Sequence, residues 1–346
     1  MNELRRLLQN HAGRLLALGL FLLFYGVYNF NHPRGFSTQV LIQNANESFT
    51  LVAIAMAQTL PVLLGGLDLS VGAVMTLVNC LASHLLNGGF WHIALGFVGC
   101  LGAGALCGFV NGCVVVYGRL QPIIATLATG AVFMGLALFL RPTPGGDMDG
   151  DLAWAASNDL YEIAATYGLF EDGDAAWFRP IAWLPVPLLL GLILIFAVWA
   201  PFRNTATGRG VYAIGSNAQA AFMSGVRIDR CKLAAFTLAG FFAGCGGLYL
   251  ALQTSSGNAD LPQAAGYTLN SIAAVVIGGT SLLGGVGGAL GSALGALVIR
   301  AISFNFRIFD VDPLVQPLFE GVILLAAVSL GALSIVRVRN RLLLFR

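Results

Sequence analysis

Apolar residues recur in long uninterrupted runs along the chain, and polar residues are concentrated in the segments between those runs. Several runs approach the roughly 20 residues that a membrane-spanning helix needs. We count ten, at about 12–30, 44–66, 70–86, 91–116, 123–140, 181–200, 233–252, 267–279, 287–303 and 318–336. The pattern predicts an all-α polytopic membrane protein with about ten transmembrane helices, some of them broken or re-entrant.

The composition agrees with a chain that lies in the lipid bilayer. Hydrophobic residues make up 57% and charged residues 10% of it, whereas a soluble domain carries about 25% charged residues. Arg5, Arg6 and Arg14 precede the first apolar run, as in a signal peptide, but no small-x-small cleavage site follows before His32-Pro33. We therefore expect a retained first span in a single transmembrane domain covering 1–346.

Basic residues predict the orientation of the spans. With ten spans both termini share a side, together with the turn at Arg119 and the loop 201–232. That side holds thirteen basic residues: Arg5, Arg6, Arg14, Arg119, Arg203, Arg209, Arg227, Arg230, Lys232, Arg337, Arg339, Arg341 and Arg346. The other side keeps Arg34, Arg141, Arg179, Arg300 and Arg307. The positive-inside rule therefore predicts cytoplasmic N- and C-termini and a cytoplasmic loop 201–232.

The segment 141–180 falls on the outer side. Its acidic residues are mixed with aromatic ones, among them Trp154 and Tyr161. It is either an ordinary solvated loop with a short helix or a contact surface for an external partner.

The cytoplasmic loop contains a short helix candidate, 216–225. Ser216 can cap it, Gln219 can complete a capping box and Gly225 can end it in the left-handed conformation. So short a helix needs a surface to stabilise it. It is either a docking helix for a cytoplasmic partner or a capped helix lying on the bilayer interface.

Two glycine-rich breaks interrupt the apolar runs, at 65–72 and 278–288. In the first, Asp68 or Ser70 can cap the following helix, or the turn lies in the membrane near a solute path. Glycines four residues apart predict close helix packing at three places. These are Gly240 with Gly244, Gly108 with Gly112, and the stripe Gly287, Gly291 and Gly295.

Candidate catalytic chemistry is sparse. Lys232 is the only lysine and does not lie in a Gly-Lys-Ser/Thr loop, so ATP-driven work would need another chain to hydrolyse ATP. No Ser-His-Asp set, Cys-His set or metal-ligand spacing is evident. Acids in apolar runs, the usual sign of ion coupling, are limited to Glu47, Asp68 and Glu320. We expect no catalytic residue, bound cofactor, metal or nucleic-acid partner.

Neutral polar residues are commoner in the spans than acids. Amides and hydroxyls suit a path for an uncharged, hydroxyl-rich solute, although hydrogen bonds between helices explain most such residues in membrane proteins. The candidate path residues are Asn46, Gln58, Asp68, Ser70, Asn111 and Asn270.

Three stretches together resemble one family. They are GGLDLSVGAVM at 65–75, YAIGSNAQAAFMSGV at 212–226 and AAVVIGGTSLLGGVGG at 273–288. The permease subunits of ribose- and galactose-type bacterial ABC importers, in the superfamily of branched-chain amino-acid permeases, carry similar stretches in the same order. Leu67 stands where isoleucine is expected.

The resemblance implies partners and roles. It implies an inner-membrane permease for a monosaccharide or related polyol, paired with a second permease copy, a periplasmic sugar-binding protein and a cytoplasmic ATPase that holds ATP and Mg²⁺. The segment 141–180 would then be a periplasmic insertion. The ATPase-coupling residues would be Gly215, Ser216, Asn217, Ala220, Ala221, Phe222 and Gly225. The alternatives are a nucleoside or branched-chain amino-acid ABC permease, and a secondary carrier or channel that works without an ATPase.

Overall fold

The structure, a computed structural model, describes residues 2–166, 168, 183–312 and, beyond them, 314–316, 318, 319, 321, 322 and 325. Within these residues the secondary structure is helical, apart from two isolated β-bridges. The predicted span at 318–336 lies almost entirely outside the described residues. The count of ten spans therefore stays a prediction.

Thirteen helices are described, and we number them in chain order. The first seven are α1 (Asn2–Asn31), α2 (Thr38–Leu63), α3 (Val71–Leu85), α4 (Phe90–Val116), α5 (Pro122–Leu140), α6 (Gly150–Ser157) and α7 (Leu160–Thr166). The others are α8 (Val186–Asn204), α9 (Ala206–Ser216), α10 (Ala218–Met223), α11 (Ile228–Thr254), α12 (Leu261–Ile277) and α13 (Ala289–Ile308). A π-helical turn, Leu194–Trp199, interrupts α8.

Six segments are long and apolar enough to cross a bilayer, by length and composition, within the described part of the chain. They are Gly13–Asn31 in α1 together with α4, α5, α8, α11 and α13. The shorter helices α3 and α12 are also apolar. These features make the chain a multi-pass α-helical membrane protein.

The predicted spans and the observed helices differ at several ends. α2 begins at Thr38, before the expected 44, because the Ser37 side chain accepts a hydrogen bond from the Val40 N–H and caps it there. α12 begins at Leu261, before the expected 267, because Asp260 caps it in the same way. The first turns of both helices contain polar residues, so the apolar runs placed the helix starts too late in the sequence.

The core forms around α2 and α11. α2 is buried from Ser48 to Leu63 and holds polar residues such as Gln58 and Thr59. It is surrounded by other helices of the protein, and the Thr59 hydroxyl donates to the Ser292 hydroxyl of α13 at 2.7 Å. The buried Thr50 hydroxyl, in contrast, has no hydrogen-bond partner within the described part of the chain. α11 packs against α2, α3 and α4.

The loops gather at two opposite ends of the bundle. At one end Gly13 lies against Gly279, and Gly66 lies against Pro122. At the other end Arg141 donates to the Ser83 hydroxyl at 3.1 Å, and Gly145 pairs with Gly257. We call these the Arg14 end and the Arg141 end. The long helices run between these two ends in alternating directions, as the succession of apolar runs predicts.

The helices α6 and α7 belong to the segment 141–180 and pack at the Arg141 end. The Asp149 N–H donates to the Leu86 carbonyl, and the Ser157 carbonyl accepts from the Asn46 amide at 2.7 Å. The described half of this segment is therefore tied to the bundle rather than only solvated.

Candidate functional site

The helices α9 and α10 form a sharp corner at the Arg14 end. Asn217 is extended (φ −161°, ψ 104°), and its side chain accepts from the Ala220 N–H at 2.9 Å, so Asn217 caps α10. The prediction that Ser216 caps a helix over 216–225 was wrong. Ser216 is still the last residue of α9, and its hydroxyl donates to the Tyr212 carbonyl within that helix, so the chain leaves the helical conformation only at Asn217.

The C-terminus of α10 has the predicted glycine. Gly225 has a φ of +81°, the left-handed conformation that glycine adopts without strain. Its N–H donates to the Phe222 carbonyl, and the Val226 N–H donates to the Ala221 carbonyl. This pair of hydrogen bonds is a Schellman motif and ends the helix firmly. α10 is thus a defined element of six residues, Ala218–Met223.

The outer face of α10 is apolar and exposed. Met223 is 81% and Phe222 66% exposed, whereas Ala221 is only 5% exposed. Ala220 is exposed as well. Of the two alanines that the resemblance assigns to ATPase coupling, Ala220 therefore lies on the free surface, and Ala221 packs against this chain.

The three family-like stretches meet below this corner. The Gly285 N–H donates to the Leu63 carbonyl at 3.0 Å, at the end of α2. A side chain at Gly215 would collide with that same carbonyl. Gly284 approaches both Gly65 and Gly215. We call this contact of the 63–65, 215–216 and 284–285 backbones the glycine junction.

Only glycine fits at the centre of the glycine junction. Gly65 and Gly284 have φ values of +80° and +90°. The backbones of three segments come into close contact here, and the small Ser216 side chain lies against Gly285. Sequence reasoning noted these glycines as separate breaks and missed that they converge.

Two further side chains brace the loop 278–288. The Gly287 carbonyl accepts from the Tyr212 hydroxyl at 3.1 Å and from Arg14 at 3.4 Å. Arg203 lies over the Tyr212 ring, 5.8 Å from its centroid. Burial raises the pKa of the Tyr212 hydroxyl, which therefore stays a protonated donor at neutral pH. α1 and α9 thus hold the same loop.

A cleft of about 730 Å³ opens beside α10. It is lined by Tyr117, Phe222, Gly225, Val226, Arg227, Ile228, Asp229, Arg230 and Leu233. The turn after α4 and the start of α11 therefore border the same exposed surface as α10.

Four of the candidate path residues lie in one buried polar network. Asp68 accepts from both the N–H and the hydroxyl of Ser70, and Asn111 donates to the Ser70 hydroxyl at 2.7 Å. Gln58 bonds the backbone N–H and carbonyl of Asp68 when its amide is oriented to suit those partners. These hydrogen bonds link the glycine-rich break 65–72, which follows α2, to helix α4 of the same chain.

The remaining candidate path residues lie elsewhere. Asn46 is half-buried near the Arg141 end, where its side-chain oxygen accepts from the Tyr249 hydroxyl at 2.6 Å. Asn270 is half-buried on α12. The structure thus brings Gln58, Asp68, Ser70 and Asn111 together and keeps Asn46 and Asn270 apart from them.

The glycine pairs lie at tight helix contacts. Gly240 and Gly244 of α11 lie against Gly104 of α4, and Gly108 lies against Gly240. Gly295 contacts the Ala274 carbonyl and Gly291 that of Gly278. Gly287 does not belong to the helix stripe that its spacing suggested. It precedes α13 with a φ of +129° and faces Thr280, because the helix begins only at Ala289.

Residues 40–328 match the family described as branched-chain amino acid transport system / permease component. The fold and the glycine junction thus belong to a multi-pass permease, and the chain belongs to this family. The ribose import permease protein of Bacillus subtilis (strain 168) is 34% identical over 277 residues, which is 80% of this chain and 80% of that protein.

Two other relatives have similar coverage. The D-allose transport system permease protein of Escherichia coli (strain K12) is 29% identical over 86% of this chain and 83% of its own length. The fructose import permease protein of Rhizobium meliloti is 32% identical over 80% of this chain and 73% of its own length. No solved structure matches the chain.

Proposed function

We propose that this chain is the permease subunit of an ATP-driven ABC importer for a monosaccharide or related polyol in a bacterial inner membrane. The relatives named for ribose, allose and fructose support this solute class. The partners are a cytoplasmic ATPase that holds ATP and Mg²⁺, a periplasmic sugar-binding protein and a second permease copy. The chain itself binds no cofactor and performs no catalysis.

The observation that carries this proposal is the exposed α10 on top of the glycine junction. The apolar face formed by Phe222 and Met223 docks in the ATPase. Both residues belong to the Asn217–Gly225 segment of this chain, within the stretch that the family resemblance identifies for coupling. When the ATPase pair closes, α10 moves with it. The touching backbones of Gly215, Gly285 and Leu63 transmit that movement to α2 and α13, and the path changes the side to which it opens.

The acids of the apolar runs do not by themselves decide between ATP-driven and ion-coupled transport. Asp68 accepts from Ser70, Glu47 forms an ion pair with Arg307, and Glu320 lies outside the described residues. The family match and the relatives named as import permeases make an ATPase-independent carrier or channel the weaker alternative.

The test is uptake by proteoliposomes that contain the permease, its ATPase and its binding protein. Met223→Arg places a charge on the exposed face of α10, and we expect a loss of ATP-driven uptake of about tenfold or more, since buried unpaired charge at an interface costs several kcal/mol. Met223→Leu keeps the apolar surface and serves as the control. Normal uptake by Met223→Arg at normal expression would refute the coupling role.

The family description also names branched-chain amino acids, which gives a second candidate solute class. Thermal-shift screening of the partner binding protein separates the two classes, because that protein binds the solute before the permease does. Stabilisation by leucine or isoleucine and not by any pentose or hexose would replace the sugar assignment.

A further inference from the structure

Arg300 is a charged residue within a membrane-spanning helix. It is the twelfth residue of α13 (Ala289–Ile308), about 16 Å along the helix from its first residue at 1.5 Å per residue. Charged side chains within transmembrane segments are costly and rare, and they usually face a water-filled path or a polar partner. Sequence reasoning assigned Arg300 only to the outer side and gave it no role.

The contacts of Arg300 leave much of its guanidinium group unused. Its Nη2 donates to the Tyr267 hydroxyl at 3.0 Å, and its Cζ lies 5.4 Å from the centroid of the same ring. Its Nε is buried and makes no hydrogen bond within the described part of the chain. Among the described residues the ion pair is that of Arg307 with Glu47, so Arg300 has no described carboxylate partner.

Tyr267, the partner of Arg300, lies on a polar face of α12. Gln263, Tyr267 and Asn270 are half-buried and three or four residues apart, so they share that face. Gly266 precedes Tyr267, and a side chain added there would meet no atom within 4 Å. The space next to this face is therefore open on the side of Gly266.

We propose that Arg300 and Tyr267 form a solute contact on the transport path, in a groove along the line where α12 packs against α13. The guanidinium fork donates to two adjacent oxygen atoms of the solute, and the Tyr267 ring offers an apolar surface beside them. Adjacent hydroxyls of a sugar and the two oxygens of a carboxylate both satisfy this geometry. This inference rests on the proposed transport function and adds a specificity-determining contact to it.

The first test compares two arginines on the same helix. Arg300→Lys keeps the charge but loses the fork, and we expect the half-saturation concentration for uptake to rise about tenfold, the effect of losing one charge-assisted hydrogen bond. Arg307→Lys, exposed near the end of α13, is the control and should stay within about twofold. ATP hydrolysis stimulated by the binding protein should persist in both variants.

The outcomes separate the two levels of the proposal. If the unaltered complex takes up no sugar and no amino acid, the proposed function fails. If the unaltered complex transports and Arg300→Lys has the same half-saturation concentration, only the solute contact at Arg300 fails. A loss of folded protein in Arg300→Lys would be recognised by size-exclusion chromatography, and Tyr267→Phe then provides the second variant. It keeps the ring but removes the hydroxyl that holds the Arg300 guanidinium group at 3.0 Å, so we expect the half-saturation concentration to rise.

The second test asks whether water reaches the groove. Gly266→Cys should react with a membrane-impermeant thiol reagent, whereas Ala274→Cys, at a fully buried position of the same helix, should not. The unaltered chain gives the background from its own cysteines. A neutral pentose or hexose, an aldonic acid and leucine are compared as protecting solutes, which distinguishes hydroxyl from carboxylate recognition. Absence of labelling at Gly266→Cys, or labelling that no solute slows, would overturn the proposal.

Discussion

Asn111 is the central residue of the buried polar network between the break after α2 and helices α4 and α5. Its amide nitrogen donates to Ser70, and its oxygen accepts from the Thr129 hydroxyl at 2.5 Å. Asn111 is only 1% exposed, so its remaining hydrogen-bonding capacity is not accessible to a passing solute. The network's first role is therefore to hold three segments together.

This assignment makes a prediction at the residue scale. Asn111→Ala removes both hydrogen bonds and leaves buried polar groups without a partner, so we expect a loss of stability of about 1–3 kcal/mol. The measurement is the melting temperature of the purified permease, with exposed Gln121→Ala as the control. Transport by the surviving folded protein should keep its half-saturation concentration. An unchanged melting temperature together with a raised half-saturation concentration would instead place Asn111 on the path.

The sequence indicated which polar residues lie in the spans but not what they contact. Gln58 and Asn270 look alike in a pattern of apolar and polar positions. Gln58 bonds the backbone of Asp68, and Asn270 lies half-buried on α12, three residues after Tyr267. The difference depends on which helices become neighbours, and a single sequence does not encode that in its periodicity.

At the scale of elements, the sequence predicted that α10 exists and where it ends, but not where it begins. Ser216 and Asn217 are both good capping residues, so the pattern offers two adjacent starts. The fold selects Asn217, because α9 continues through Ser216 and the chain turns only afterwards. The glycine at 225 has no such competitor, and its position was clear from the sequence.

The contact between α4 and α11 gives a prediction at the same scale. A side chain at Gly108 would collide with the Phe236 carbonyl and approach the Gly240 Cα at 2.9 Å. Gly108→Ala should therefore destabilise the protein by about 1–3 kcal/mol through overpacking.

The control for Gly108→Ala lies on the same helix. A side chain at Gly102 meets no atom within 4 Å, so Gly102→Ala should be neutral or slightly stabilising. Folded yield and melting temperature after detergent extraction measure both variants. Equal behaviour of the two would contradict the close approach of α4 and α11.

At the scale of the whole molecule, the glycine junction joins residues more than 200 positions apart. Leu63, Gly215 and Gly285 become neighbours because α2 ends, α9 ends and the loop before α13 turns at the same end of the bundle. Apolar runs predict the helices and their alternating directions. They do not predict which loops at one end touch, and so the junction required the tertiary structure.

The two ends of the bundle also differ in charge, which predicts their sides of the membrane. Loops at the Arg14 end carry Arg119, Arg209, Arg227 and Arg230, whereas acids such as Asp149 and Glu162 lie at the Arg141 end. By the positive-inside rule the Arg14 end, with α10, is predicted to face the cytoplasm.

Cysteines at exposed positions of the two ends test this orientation in cells that express the permease alone. We expect a membrane-impermeant maleimide to label Asp151→Cys on α6 in intact spheroplasts, and Gln219→Cys on α10 only after permeabilisation. The unaltered chain provides the background, since five of its six free cysteines are buried. The reverse labelling pattern would put α10 on the outer surface, where no ATPase can reach it, and would remove the basis for ATP-driven coupling through the glycine junction.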